Sequence, residues 1–350
     1  MLLSKPSSLC HSVPSVLALL LANACAAPGD NKGEGSTDTG PNGADDGNDG
    51  GEPTPCTTAD PDPGLNAEGH PADGWNWERR GLLWQDFAPF EATKGEFAPS
   101  IVEWNGEYLL LFTRAEGASQ GLFVTRSTDM QAWSTPEPLS GIESWQSNRA
   151  GLIVHDGQLR LYHSDNPIVW SLSNDGVNFE YQGEVIHPGP EGGFDDHTVF
   201  YPNPVEESGS LALYYSGLDG DSISIGRTQS DDGGSTWAVG QQVLGPGVDG
   251  WDQYRVAMSS VQYLGEERLM WFSGYDTPPG SQGVWRIGLH RGDRRGVTLP
   301  HTASVTEFWG PREPTVVGFD GGWLMIYSAM GEDSVYRLHY ATSRVCNAPS

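Results

Sequence analysis

An all-β fold made of five repeated four-stranded units is what the sequence predicts, on three observations. The first is composition: 46 glycines and 13 tryptophans among 350 residues, a mix of turn formers and aromatics that suits short strands rather than helices. The second is a repeat. Apolar runs closing on an aromatic or His and then Ser or Thr read YLLLFT (108–113), LRLYHS (159–164), LALYYS (211–216), RLMWFS (268–273) and WLMIYS (323–328). Their last residues recur every 51 to 57 positions. The third is the turn before each run: Asn105-Gly106, Asp156-Gly157, Ser208-Gly209, Leu264-Gly265 and Asp320-Gly321-Gly322. Asn-Gly or Asp-Gly between apolar runs is a strong hairpin signal. Four strands in a unit of about 50 residues make a propeller blade. Five such units predict a five-bladed β-propeller with four-stranded antiparallel blades.

Taken in order, the chain begins with a targeting segment. Lys5 precedes the apolar stretch Val13–Ala24, which is too short to span a bilayer, and Ala22-Asn23-Ala24 fits a small-residue cleavage site. Residues 1–24 therefore read as a signal peptide. Cys25 follows at once and resembles the modified cysteine of a bacterial lipobox, with Ala22 where leucine is usual. Lipidation of Cys25 and plain secretory cleavage both stay open. Pro28 to Pro55 holds no Val, Ile, Leu, Met or aromatic residue. Such a tract has nothing to bury, so 25–74 is expected to be a disordered tether. Cys10 leaves with the signal, and the remaining pair, Cys56 and Cys346, is expected to form a disulfide. The expected location is outside the cytoplasm: a bacterial cell-surface or outer-membrane lipoprotein, otherwise periplasmic or secreted. The membrane is touched only through the lipid anchor, and the chain is expected to be a monomer.

Residues 75–346 carry the repeats. In each, a third strand follows (GLFVTRS, PIVWSLS, ISIGRTQS, VWRIGLHR, YRLHYATS), and in the first three a Ser-x-Asp turn comes next. SDDGGSTW (230–237) is such a turn, a place where small polar side chains bond their own backbone. The fifth unit stops after three strands, while WNWERRGLLWQ (75–85) reads as a fourth strand with nothing before it. The N-terminal strand is expected to complete the last blade and close the ring, removing an open edge.

The first strand of each blade lines the channel. Their starts read GEFAPSIV, SNRAGLIV, DDHTVFYPNPV, DQYRVAMSSV and GPREPTVV. These supply Glu96, Asn148, Arg149, Asp195, Asp196, His197, Asp252, Arg255, Arg312 and Glu313 to one funnel. Charges at core strands need partners or a task, so two readings stand: a catalytic or binding set, or mutual ion pairs around a sealed channel. Arg149, Arg255 and Arg312 fall near one register, and guanidinium forks match carboxylates. His197 is a candidate for substrate contact or proton transfer. Trp251 and Trp309, near the blade loops, are candidates for stacking on sugar. The formal charge of −27 argues against nucleic acid as a partner. No nucleotide-binding glycine loop, Gly-x-Ser-x-Gly elbow or paired-His zinc motif occurs, so no cofactor is expected, with a channel cation left open.

The five-copy plan, the segments APSIV…NGEYLLLFT and REPTVV…GGWLMIYS, and the Ser-x-Asp-Gly turns resemble the five-bladed propeller glycosidases. That group holds the arabinanase/β-xylosidase and invertase/levansucrase families. The resemblance covers about residues 75 to 345 and implies carbohydrate as the ligand and three carboxylates around the funnel. One carboxyl protonates the leaving oxygen while another activates water or attacks. The chain departs from the pattern. Ala98-Pro99 stands where the first blade would carry Asp-Pro, and Asn148-Arg149 stands at the second-blade aspartate. The third blade offers Asp195-Asp196, and Arg312-Glu313-Pro314 lies on the last blade. Mapped onto this sequence, the resemblance implies Asp196 or Glu96 as base and Glu313 as acid. Ser230, Asp232, Gly234, Thr236 and Trp237 match the Asp-box pattern of sialidases, which usually have six blades. The functional expectations are a glycoside hydrolase, a non-catalytic propeller that binds glycan or protein, or a sialidase-like hydrolase of anionic sugars.

Overall fold

The computed structural model describes residues 74–83, 95–116, 119–142, 149–163, 166–248, 250–278, 281, 283–302, 304–319 and 322–343. The expected signal peptide, the expected tether apart from Gly74, and Cys25, Cys56 and Cys346 lie outside the described residues. So do Trp145 and Asn148. By its contacts the chain divides into Met1–Pro55 with Gly280–Gln282, and Cys56–Pro279 with Gly283–Ser350. The second unit is the propeller.

Among the described residues, twenty strands build it. Strand β1 (Trp77–Leu82) comes first, and then four complete meanders follow. Blade 1 is β2 (Gly95–Trp104), β3 (Glu107–Glu116), β4 (Ser119–Ser127) and the short β5 (Glu137–Pro138). Blade 2 is β6 (Ala150–His155), β7 (Gln158–His163), β8 (Ile168–Ser173) and β9 (Glu180–Ile186). Blade 3 is β10 (Thr198–Glu207), β11 (Ser210–Leu218), β12 (Ile223–Ser230) and β13 (Gln241–Leu244). Blade 4 is β14 (Arg255–Leu264), β15 (Glu267–Tyr275), β16 (Trp285–Arg291) and β17 (Arg294–Leu299). Blade 5 holds β18 (Pro311–Phe319), β19 (Gly322–Met330) and β20 (Tyr336–Ser343). Its fourth strand is β1, paired antiparallel with β20 from Trp77↔Ser343 to Leu82↔His339.

The hairpins form where the sequence places them. Asn105-Gly106, Asp156-Gly157 and Ser208-Gly209 each have two successive positive φ values, the conformation that matches strand twist. Apolar side chains alternate along the strands and meet those of the next blade. Leu109, Leu111 and Leu122 pack with Leu152, Leu159 and Leu161 between blades 1 and 2. Leu211 and Tyr215 meet Ile153 and Tyr162 between blades 2 and 3. Tyr214 and Ile225 meet Val256 and Phe272 between blades 3 and 4. Trp271 and Leu289 meet Trp323 and Tyr327 between blades 4 and 5. Leu324, Ile326 and Leu338 of blade 5 meet Leu110, Phe112 and Trp133 of blade 1. The inner strands follow the same circuit, each beside the next, with β18 beside β2.

Four inner strands share one irregularity. Register slips between Phe97 and Ser100, Phe200 and Asn203, Ala257 and Ser260, and Arg312 and Thr315. Each bulge begins on a residue with positive φ: Ala98, Tyr201, Met258 and Glu313. A bulge of this kind re-aims its side chain toward the axis. The Ser that ends a second strand supports the neighbour's bulge. Ser216 Oγ accepts the Met258 N–H at 3.0 Å, and Ser273 Oγ accepts the Glu313 N–H at 2.9 Å.

Candidate functional site

In a meander, the start of the first strand and the loop between second and third strands share one end of the blade. The turns between third and fourth strands lie at the other end. The Asp turns are therefore remote from the inner-strand starts. Their aspartates bond their own loops: Asp129 accepts the Gln131 and Ala132 N–H groups at 2.8 Å each. Asp232 accepts the Thr236 N–H at 2.8 Å and its hydroxyl at 2.7 Å. Those bonds, the backbone one foremost, hold the Asp232 carboxyl down at about 2. SDDGGSTW is a structural turn, as its repeat position suggests.

The axis is narrow. The bulged residues Ala98, Tyr201, Met258 and Glu313, with Pro99, Pro202 and Pro314, surround a cavity of about 30 Å³. That holds about two waters and no sugar ring. The inner-strand starts lie to one side of this ring of bulges.

Glu313 ties this ring of bulges together. It is buried, and every one of its contacts donates to a carboxylate. Tyr201 donates its hydroxyl to Oε1 at 2.7 Å, Ala98 donates its N–H to Oε2 at 2.8 Å, and the Ser328 hydroxyl donates to Oε2. Arg312 Nε lies 3.6 Å from Oε1. Burial pushes the Glu313 carboxyl up, but the Arg312 charge, the Ser328 and Tyr201 hydroxyls and the Arg149 charge outweigh it and leave it below the usual range. A group held ionised in this way suits an anchoring role rather than proton donation. Burial pushes the Tyr201 hydroxyl up, so it stays a neutral donor.

Of the three arginines, Arg149 and Arg312 both act on Glu313. Arg312 stands opposite Ser328, and Arg149 directly precedes Ala150, which pairs with His163. Both therefore sit at the same level of their blades. Arg149 lies over the Tyr201 ring at 4.3 Å, and Arg312 lies over Tyr336 at 4.3 Å and Trp285 at 5.7 Å. Arg255 starts β14 two residues before Ala257, the Arg312 counterpart, so a period of two puts it on the same side. It lies over Tyr275 at 5.7 Å.

The remaining acids are placed differently from one another. Asp195 is buried and accepts the Tyr215 hydroxyl at 2.7 Å within its own blade. Asp252 is buried against Arg295 at 2.7 Å. Both serve their blades instead of the funnel. Glu96 is buried and stands directly across from Arg114. Asp196 alone of the funnel carboxylates is part-exposed. Its Oδ2 accepts the Gly192 N–H at 2.7 Å, while Oδ1 has no hydrogen bond among the described residues. His197 is exposed beside it. Trp251 packs inside blade 4 on Phe272, over Gly274 and Gly288, where an added Cβ would come within 2.1 Å of the ring. It is therefore a packing residue, whereas Trp309 stays partly exposed, edge-on to Phe308. Among the described residues no group of three or more His, Cys, Asp or Glu side chains could hold a metal ion.

Sequence reasoning missed Tyr201. Its signal was present: Ala98-Pro99, Tyr201-Pro202 and Glu313-Pro314 are X-Pro pairs at one position of three inner strands.

The fold has relatives among solved structures. The chain is similar to the catalytic domain of the Coprinopsis cinerea GH62 alpha-L-arabinofuranosidase, at 10% identity and a TM-score of 0.58, covering 77% of this chain and 97% of that one. It is similar to an exo-1,5-alpha-L-arabinanase from a bovine ruminal metagenomic library, at 15% identity and 0.53, covering 72% and 94%. It is also similar to the Bacillus subtilis arabinanase Arb43A, at 13% identity and 0.51, covering 70% and 93%. No family model matches the sequence, and no curated protein does. At these identities the likeness is one of fold, and the fold is that of the five-bladed propeller glycoside hydrolases.

Proposed function

We propose that this protein is an exported, lipid-anchored glycoside hydrolase that takes its carbohydrate at the mouth of the propeller channel. The observation that carries the reading is the cluster of Arg149 and Arg312 with the bulge residues Tyr201 and Glu313 near the inner-strand starts. Support for carbohydrate comes from the fold, whose solved neighbours include an arabinofuranosidase in complex with cellotriose and a hydrolase in complex with xylotriose. Export and anchoring rest on the N-terminal segment and Cys25. Within this reading Glu313 orients Tyr201 and the two arginines, and Asp196 is the base, since it is the part-exposed carboxylate among those at the inner-strand starts. A fold alone does not fix activity. A second reading, a glycan-binding propeller without turnover, is favoured by one observation: Ala98 occupies the first-blade bulge, and the nearest buried carboxylate, Glu313, is fully engaged.

The test is a glycan screen for binding and reducing-end release with wild type, Asp196→Asn and Glu313→Gln. Turnover lost in Asp196→Asn with binding kept supports the hydrolase. Binding with no turnover in wild type establishes the second reading. No glycan bound by wild type overturns both.

A further inference from the structure

The three arginines at the mouth differ in what neutralises them. Arg149 and Arg312 share the field of Glu313. Arg255 shares no carboxylate: among the described residues its side chain has no ion pair, and its Nε is buried without a hydrogen bond. Burial holds its pKa below the ordinary arginine value, with only Tyr275 acting the other way. A guanidinium partly withdrawn from water without a counter-charge is unfavourable, and an anion brought to it removes that deficit.

Its surroundings are built. Arg255 stands directly across from Tyr275, and Tyr275 directly across from Trp285. The two rings lie against each other, tilted by 36°, with centroids 4.8 Å apart. Arg312 of the next blade rests on the Trp285 ring. So Arg255 and Arg312 each rest on one ring of this tilted pair, which sets both cations at the same end of neighbouring blades. The mouth thus sets Arg149 and Arg312 against Glu313 and leaves Arg255 without a counter-charge, in a chain whose formal charge is −27. That field repels a polyanion at long range. A single carboxylate, felt within about 8 Å at physiological salt, responds to the local cations instead.

We propose that Arg255 binds the carboxylate of an acidic sugar, with Arg149 and Arg312 adding to the attraction, so that the mouth selects acidic over neutral glycans. The proposal rests on the carbohydrate reading above and names its substrate class. A planar fork pairs with a carboxylate through two parallel hydrogen bonds, which a hydroxyl or an ester does not reproduce.

Calorimetric titration of the whole protein tests it with trigalacturonate against its methyl ester, and sialyllactose against lactose. These two arms separate a uronic acid from a sialic-type acid. In at least one arm the acid binds about tenfold or more tightly than its uncharged counterpart, the ratio expected for a charge-assisted pair. Arg255→Gln abolishes that ratio while leaving the melting curve unchanged, because no ion pair is lost. Arg337→Gln, which removes the ion pair between Arg337 on β20 and Asp333 in the preceding turn, leaves the ratio intact. Equal binding of acid and uncharged partner in both arms overturns the proposal and leaves the carbohydrate reading standing. A ratio that survives Arg255→Gln overturns the assignment. Failure of all four sugars to bind overturns both.

Discussion

Glu313 shows how one buried acid organises a centre. It joins blade 5 to blade 1 through the Ala98 N–H and to blade 3 through Tyr201, and it balances two arginines. Glu313→Gln strips that balance, so urea unfolding should show a loss of about 3 kcal/mol. Tyr201→Phe removes a single donor to the buried carboxylate and should cost about 1–3 kcal/mol in the same assay. The pH dependence has a definite sign. A carboxyl whose folded pKa lies below its unfolded value stabilises the fold above that unfolded value, near 4.5 for Glu. The contribution fades as pH falls from there through the folded pKa, and Glu313→Gln should flatten the acid limb of the stability curve. Glu313, Arg312 and Arg149 were legible as sequence because charge at the start of an inner strand is conspicuous. Tyr201 was not, because an aromatic in a strand reads as core until a bulge turns it to the axis.

At the scale of elements, the repeated aromatic-Ser ending has a physical account. The hydroxyl of one blade takes the N–H that the neighbour's bulge leaves without a ladder partner. Ser273→Ala should leave the Glu313 N–H buried and unpaired, with a loss of about 1–3 kcal/mol in chemical denaturation. The Asp turns obey a different rule, since their bonds are local and exposed. Asp232→Ala should speed hydrogen exchange at the Thr236 amide while leaving glycan binding unaltered. Below its unfolded value of 3.8, and through about 2, wild type should show the same loosening. The hairpin turns were legible because Asn-Gly and Asp-Gly encode their own geometry. The bulges were not. They depend on the next blade supplying a partner, as Ser216 does for Met258.

For the whole molecule, β1 matters beyond its six residues. It covers the β20 edge, and Trp77 packs into the blade 4–5 core on Trp271 at 6.0 Å. A chain starting after Leu83 should expose that edge and self-associate, visible as oligomers by size-exclusion chromatography with light scattering. The sequence by itself determined the repeat, the blade count, the hairpin turns and the strand that completes blade 5. All of these follow from local chemistry and periodicity. Only the tertiary structure decided which charges share a site. Asp195 and Asp252 fold back onto Tyr215 and Arg295, Trp251 settles on two glycines, and Arg149, Arg312 and Glu313 meet from blades distant in the chain. Those outcomes depend on where a bulge turns each side chain and on what the neighbouring blade sets opposite it. No stretch of one strand holds that information.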